Sequence, residues 1–275
     1  MNIEDKLAHL KEILKDMGTL VVAYSGGVDS TFLAFVASEV LGQRALAVFA
    51  YSPVSIPGER EEAETLVKKL GLRYKMIESN ELENPQFVAN TKDRCYYCRH
   101  ELFQQLNEIA SSEGLTWIAD GTNCDDLSDY RPGRRASRES GIRSPLLEAG
   151  LTKDEIRQLS RESGLPTWDK PASPCLASRI PYGTLVTQDT LYKIAEGERY
   201  LHSLGIRQLR LRHHGDIARI EVDEKGMALI LKDETRHEVV KRITALGYLY
   251  VALDLSGYRS GSLNSKIINS TVQKG

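Results

Sequence analysis

The chain has 275 residues, of which 41% are hydrophobic and 27% charged, the balance of an ordinary globular protein with one large or two modest domains. The formal net charge of −2 does not favour general binding to nucleic acid, and no apolar run approaches the roughly 20 residues that span a membrane. Residues 1–18 begin acidic and lack an apolar core, which excludes a signal peptide and predicts a cytoplasmic protein.

Helix and strand patterns alternate along the first part of the chain. Residues 1–18 form an amphipathic pattern with Leu7, Leu10, Ile13 and Leu14 on one face. Apolar strand runs and helical patterns then follow in turn: strands at 19–24, 45–51, 73–77 and 117–120, and helices at 29–41, 57–71 and 98–114. Strands separated by helices of this length predict an α/β fold with a doubly wound parallel sheet.

Two long polar stretches and a change of pattern follow. Residues 121–145 are rich in turn residues and are expected to form a long functional loop, and residues 164–183 contain four prolines. Beyond them, a helix is predicted at 187–205, strands at 207–214, 216–222 and 248–255, and one helix over 224–246. Because two of these strands are adjacent without a crossover helix, they indicate an antiparallel pair in a smaller α+β domain. The sequence therefore predicts a first domain at 1–165, an irregular cysteine-bearing linker at 166–186, and a second domain at 187–275.

The sequence Ser-Gly-Gly-Val-Asp-Ser at 25–30 joins the strand at 19–24 to the next helix. A strand, a glycine loop and a helix together present backbone N–H groups and a positive dipole end to an anion. Neither GxGxxG nor GxxxxGK(S/T) is present, and this lysine-free loop suggests that Asp29 recruits Mg²⁺ to a pyrophosphate. The alternative is a simple capped turn, in which Asp29 or Ser30 is the N-cap of the helix.

This stretch resembles the PP-loop of the ATP pyrophosphatases. The resemblance implies that ATP is cleaved between its α and β phosphates, that an acceptor oxygen is adenylylated, and that AMP leaves when a nucleophile attacks. The positions implied to bind ATP are Ser25, Gly26, Gly27, Asp29, Ser30 and Gly121.

Longer stretches at 121–136, 164–183, 210–221 and 253–264 resemble, in the same order, the LarE family. These are pyridinium-biscarboxylate mononucleotide sulfur transferases that build the nickel-pincer nucleotide. The resemblance implies a PP-loop domain at 1–165 and a substrate and oligomerisation domain at 187–275. It also implies that the chain assembles as a homohexamer. The chemistry agrees, because a carboxylate cannot be thiolated until its oxygen becomes a leaving group, which adenylylation supplies.

The substrate implied by the resemblance carries a phosphate, for which the strand at 207–214 offers a cationic face. Strand alternation places Arg210 and Arg212 on one face, as a phosphate clamp or, alternatively, as a solvated edge. The resemblance favours the clamp. It also implies that Ser178, Arg179 and Arg259 line the substrate site, together with Glu198 as a catalytic residue.

Cys95 and Cys98 form a CxxC pair, and Cys175 lies in the proline-rich stretch. The chain resembles the LarE branch in which three cysteines hold a [4Fe–4S] cluster, whose open iron carries hydrosulfide. It departs from the branch that sacrifices a cysteine, because the aligned position is Pro174 and Cys175 is its neighbour. Sacrificial donation from Cys175, a zinc site that recruits Cys124, and plain buried cysteines remain alternatives.

The rival functions are a cluster-dependent tRNA 2-thiolation enzyme, a non-enzymatic nucleotide-binding protein and an amide-forming PP-loop synthetase. The first usually needs a broad basic surface, which the net charge does not favour. The expected partners are therefore ATP with Mg²⁺, the pyridinium mononucleotide, and sulfide or another sulfur donor, without a membrane or nucleic acid.

Overall fold

The structure, a computed structural model, describes residues 1–128, 133–171 and 173–259. The chain divides into two compact units, each assembled from separate stretches. The first unit comprises Met1–Ser52, Gly58–Phe87 and Lys92–Ser173, and the second comprises Pro53–Pro57, Val88–Thr91 and the chain from Pro174 onward.

The first unit is built on a parallel sheet, as the sequence predicted. Its strands are β1 (Leu20–Tyr24), β2 (Ala45–Tyr51), β3 (Tyr74–Glu78) and β4 (Trp117–Ala119), in the order β3-β2-β1-β4. The helices from this part of the chain are α1 (Ile3–Met17), α2 (Val28–Leu41), α3 (Glu59–Lys69), α4 (Pro85–Val88), α5 (Arg94–Ser112), α6 (Gly133–Glu139), α7 (Pro145–Glu148) and α8 (Lys153–Glu162).

The centre of this sheet is apolar because β1 pairs with a neighbour on both sides. Leu20 is in register with Ala45 of β2 and with Trp117 of β4. Leu20 and Val21, which point to opposite faces, are both fully buried. The apolar face of α1 packs into the same unit through Leu10 and Leu14. A strand buried on both faces reads as a continuous apolar run, which is why this part of the fold could be recognised in the sequence.

The second unit contains a small mixed sheet. Its elements are α9 (Gln188–Ser203), β5 (Leu209–His214), β6 (Ile217–Val222), α10 (Glu224–Ile230), α11 (Asp233–Ala245) and β7 (Tyr250–Leu253). The pairing of β5 with β6 is antiparallel, as predicted, whereas β6 and β7 are parallel.

Two element predictions are wrong. The stretch 121–145 is not all loop, because it contains a 3₁₀ turn at Cys124–Ser128 and the helix α6, and its last residue begins α7. The single helix predicted over 224–246 is two helices, since Lys232 has extended backbone angles and starts a new helix whose first turn is acidic. Within the described ranges, no helix is both long and apolar enough to cross a membrane.

Candidate functional site

The loop between β1 and α2 has the open geometry of an anion cradle. Gly26 has a φ of +69°, a left-handed conformation that favours glycine, and a Cβ there would lie 3.4 Å from the Cβ of Ala63. Gly27 is the N-cap of α2 and makes no side-chain capping bond. The capped-turn alternative required Asp29 or Ser30 to be the N-cap, and it is therefore wrong. The first N–H groups of α2 lack a side-chain cap, which leaves them suited to an anion.

The two serines of the loop fix its shape. Ser30 Oγ accepts a hydrogen bond from the Ser25 backbone N at 3.1 Å, lies 3.0 Å from Ser25 Oγ, and donates to the Gly27 carbonyl at 3.3 Å. The loop is thus held by its own hydroxyl groups.

Asp29 is paired with a lysine that the sequence analysis did not identify. Lys153 Nζ lies 2.5 Å from Asp29 Oδ2. Lys153 is the first residue of α8, a helix whose N-terminus is fixed by a capping box between Thr152 and Glu155. The other oxygen, Asp29 Oδ1, is buried and has no hydrogen-bond partner in the described part of the chain. A carboxylate oxygen of this kind fits a Mg²⁺ ligand.

Gly121 approaches the same loop from the end of β4. A Cβ at Gly121 would lie 3.0 Å from the backbone N of Ser30 and 3.3 Å from Asp29. The turn is anchored by the preceding residue, Asp120, which is buried and accepts hydrogen bonds from the hydroxyls of Ser137 and Ser144. All the positions predicted to bind ATP therefore lie together.

Two of the three predicted cluster cysteines lie one helical turn apart on α5. Cys95 is exposed and Cys98 is half-buried, and Cys98 Sγ lies 3.8 Å from Oε1 of the buried Glu81. Among the residues that the structure describes, no group of three or more His, Cys, Asp or Glu side chains could hold a metal ion. Cys124 is half-buried in the first unit, where burial raises the pKa of its thiol.

The third cysteine, Cys175, belongs to the second unit, where it precedes a 3₁₀ turn at Leu176–Arg179. Arg179 is buried and holds this turn: its Nη1 donates to the Pro174 and Cys175 carbonyls at 2.5 and 3.1 Å, and to Ser178 Oγ at 3.0 Å. Its Nε and Nη2 bind the two carboxylate oxygens of Glu198 at 3.0 and 2.9 Å. Arg179 thereby positions the loop of Cys175 against α9.

The two arginines of β5 have different surroundings. Arg212 is buried, donating to the Ser178 carbonyl and to Glu221 Oε2, both at 2.9 Å. Arg210 is half-buried, with its guanidinium carbon 5.2 Å from the centre of the Tyr258 ring. Burial, together with the positive charge of Arg179, lowers the pKa of Arg210. The predicted phosphate face is therefore a buried cluster of arginines and glutamates within this unit.

The predicted site residue Arg259, and His213 of β5, have other partners in the second unit. Arg259 is exposed, and its charge helps to lower the pKa of Asp254, after the larger effect of the Ser256 N–H. His213 Nδ1 lies 3.2 Å from the hydroxyl of Tyr248, and burial lowers the pKa of this histidine. The glycine loop and the cysteines could be recognised in the sequence, whereas Lys153, Asp120 and Glu81 could not, because their partners are distant along the chain.

Comparison with known proteins adds three relatives of nearly full length. Residues 2–102 match the family model described as NAD synthase. The chain is 44% identical to an uncharacterized protein of Synechocystis sp. over 95% of this chain and 98% of that one. It is 39% identical to the pyridinium-3,5-bisthiocarboxylic acid mononucleotide synthase of Lactiplantibacillus plantarum, over 97% of this chain and 96% of that protein. It is 30% identical to an uncharacterized protein of Methanocaldococcus jannaschii, over 93% of this chain and 98% of that protein. These matches confirm the prediction of an ATP-dependent PP-loop enzyme.

Proposed function

The chain belongs to the LarE family, and from this membership we propose that it is an ATP-dependent sulfur transferase acting on pyridinium-3,5-biscarboxylic acid mononucleotide. It adenylylates a carboxylate of the substrate with release of pyrophosphate, and a sulfur nucleophile then displaces AMP, which carries away the activated oxygen, to give a thiocarboxylate for the nickel-pincer nucleotide. The observation that carries this proposal is the glycine loop with Asp29 and Gly121 at one point, in a chain similar over its length to the Lactiplantibacillus synthase.

The activation step follows from the charges at the loop. The backbone N–H groups at the start of α2 would hold the pyrophosphate, and Asp29, whose Oδ1 has no partner in the described chain, would hold Mg²⁺. Lys153 pairs with Asp29, and its ammonium would add a positive charge for the bound phosphates. Bound Mg²⁺ supplies charge neutralisation on the pyrophosphate leaving group.

The substrate phosphate is assigned to Arg210, with Arg212, Ser178, Arg179 and Arg259 around it and Glu198 beside the reacting carboxylate. The arginine cluster supports this assignment because burial and like charge both disfavour the Arg210 cation, and a phosphate would relieve that penalty. The chain is further proposed to assemble as a hexamer through the region 187–275, which light scattering of the purified protein would test.

The sulfur source is assigned to a metal centre held by Cys95, Cys98 and Cys175. Thiolates one helical turn apart suit iron–sulfur ligation, and Cys175 lies in irregular backbone fixed by Arg179. A three-cysteine [4Fe–4S] cluster would supply an open iron for hydrosulfide. The alternative for the sulfur source is the sulfur of Cys175 itself, lost at each turnover.

The test is anaerobic purification, metal and sulfide analysis, and incubation with the pyridinium mononucleotide, Mg·ATP and sulfide. We expect brown protein, equal release of AMP and pyrophosphate, and a thiocarboxylate product. Changing Cys95, Cys98 or Cys175 to Ala should remove both colour and product. A colourless, fully active protein would refute the cluster, and loss of one sulfur atom from Cys175 per product would establish sacrificial donation. Tight, salt-dependent tRNA binding would point to a tRNA 2-thiolation enzyme instead.

A further inference from the structure

The turn that follows Gly121 carries an aspartate, Asp125, that binds the first residue of α8. Asp125 Oδ2 accepts a hydrogen bond from the backbone N–H of Lys153 at 2.7 Å, although the two residues are 28 positions apart. This N–H lies in the first turn of a helix, where no carbonyl of the same helix can accept it. The carboxylate makes the hydrogen bond charge-assisted and places a negative charge at the positive end of the helix dipole.

The backbone around Asp125 is itself held by hydrogen bonds. Asn123 is buried; its Oδ1 accepts the Asp125 N–H at 2.9 Å, and its own N–H donates to Asp126 Oδ2 at 3.1 Å. The Cys124 N–H donates to the Leu151 carbonyl at 3.0 Å, which joins the turn to the segment that enters α8. The exposed carboxylate of Asp125 is therefore carried by a backbone that is fixed beside the start of this helix.

Lys153 is thus held at two points, its backbone by Asp125 and its ammonium by Asp29, whose Oδ2 lies 2.5 Å from Lys153 Nζ. The same turn begins at Gly121, where a Cβ would lie 3.3 Å from Asp29. A lysine ammonium sits on a flexible four-carbon stem, and the side chain of Lys153 is 32% exposed. The position of its charge therefore depends on where the first residue of α8 is fixed.

We propose that Asp125 is a positioning residue for the activation step, which directs the Lys153 ammonium towards phosphates bound at the glycine loop. Asp125 acts through Lys153 and contacts neither ATP nor the reacting carboxylate. This role rests on the proposed function only in the use of ATP at that loop, and it is independent of the sulfur source. A merely structural aspartate would stabilise α8 whether or not residue 153 is a lysine.

The experiment is a double-mutant cycle between Asp125 and Lys153 in the full chain. Calorimetry measures the affinity for the Mg²⁺ complex of α,β-methylene-ATP, in which the bond to be cleaved is blocked, without the pyridinium mononucleotide. We expect Asp125→Ala to weaken binding by about tenfold, which corresponds to about 1.4 kcal/mol. In the Lys153→Met background, Asp125→Ala should change the affinity by less than about twofold, because the charge that Asp125 positions is absent.

Two further variants separate this role from a general effect of charge. Asp154 is the next residue of α8, is exposed, and also lies in the acidic first turn, so Asp154→Ala removes the same charge from the same helix end. We expect it to bind the nucleotide within about twofold of the parent, as for other exposed charges. Asp125→Asn retains an acceptor oxygen at the same distance from the backbone and should recover binding to within about threefold of the parent.

Equal losses for Asp125→Ala with and without Lys153 would overturn the positioning role, because Asp125 would then act on the fold alone. An unchanged affinity in Asp125→Ala, or an equal loss in Asp154→Ala, would overturn it too. A parent that shows the expected coupling but forms no thiocarboxylate would refute the proposed function and leave the role of Asp125 in place. A parent that forms thiocarboxylate while Asp125→Ala binds normally would do the reverse, and a parent that binds no nucleotide would overturn both.

Discussion

The pair of Arg179 and Glu198 should be among the most sensitive interactions of the second unit. Both side chains are nearly inaccessible, at 0% and 5% exposure, and they meet through two hydrogen bonds of 2.9 and 3.0 Å. Glu198 Oε1 also accepts the backbone N–H of Leu211 at 2.9 Å. We consider the substitution Glu198→Ala, which removes the carboxylate and leaves the guanidinium buried.

The expected loss is large because the remaining charge cannot reach water. Removing one partner of a buried ion pair costs about 3–5 kcal/mol, whereas an exposed pair is worth about 0–1 kcal/mol. The exposed pair between Lys241 and Glu238, with 76% and 55% exposure, is the matched control. Glu238→Ala should therefore change the free energy of unfolding by less than about 1 kcal/mol.

The assay is urea unfolding followed by far-ultraviolet circular dichroism, on the single variants and on Arg179→Met/Glu198→Leu. The double variant removes both charges together, so it should lose less stability than Glu198→Ala alone. A loss below about 1 kcal/mol in Glu198→Ala would refute this reasoning. So would a double variant whose loss equals the sum of the two single losses, because the side chains would then not be coupled.

Three further predictions concern the loop and pH. Gly121→Ala should weaken Mg·ATP binding by about tenfold or more in calorimetry, because its Cβ would lie 3.0 Å from the Ser30 amide nitrogen; unchanged affinity would contradict the contact. Lys153→Met should slow pyrophosphate release while the free energy of unfolding falls by less than about 1 kcal/mol, since its ion pair with Asp29 is partly exposed; an unchanged rate would exclude a role for Lys153. The hydrogen bond from Arg143 lowers the pKa of Glu148 from 4.5, so the pair stabilises the fold above that pH. Thermal unfolding should show Glu148→Gln less stable than the parent at neutral pH, with the gap closing as the pH falls through the lowered pKa; a pH-independent gap would contradict this.

The parts of the fold that could be predicted are those in which local pattern and burial agree. The run Leu20–Tyr24 is apolar because β1 is central, and the glycines at 26 and 27 follow where the chain must turn into α2. The helix predicted at 98–114 begins four residues earlier in the structure, at Arg94. Its first turns carry two tyrosines, which are modest helix formers and weaken the sequence signal there.

The parts of the site that could not be predicted depend on contacts between distant residues. Lys153 follows Asp29 by 124 positions, so a loop without its own lysine still receives one from α8. Glu81 approaches Cys98 from a turn with no periodic pattern. A sequence pattern can identify residue types that suit a reaction, but it does not identify the cation or carboxylate that the fold brings beside them.

The same limit applies to Arg210 and Arg212, which strand alternation treats as equivalent. Arg212 is balanced by Glu221, which is itself paired with Arg219 at 3.0 Å. Arg210 is half-buried, and burial and Arg179 both oppose its charge. An anion near Arg210 would therefore relieve an existing electrostatic penalty, whereas an anion near Arg212 would compete with a carboxylate already in place. We therefore expect a phosphate bound at this cluster to stabilise the Arg210 cation more than that of Arg212, which already donates to the Ser178 carbonyl and to Glu221.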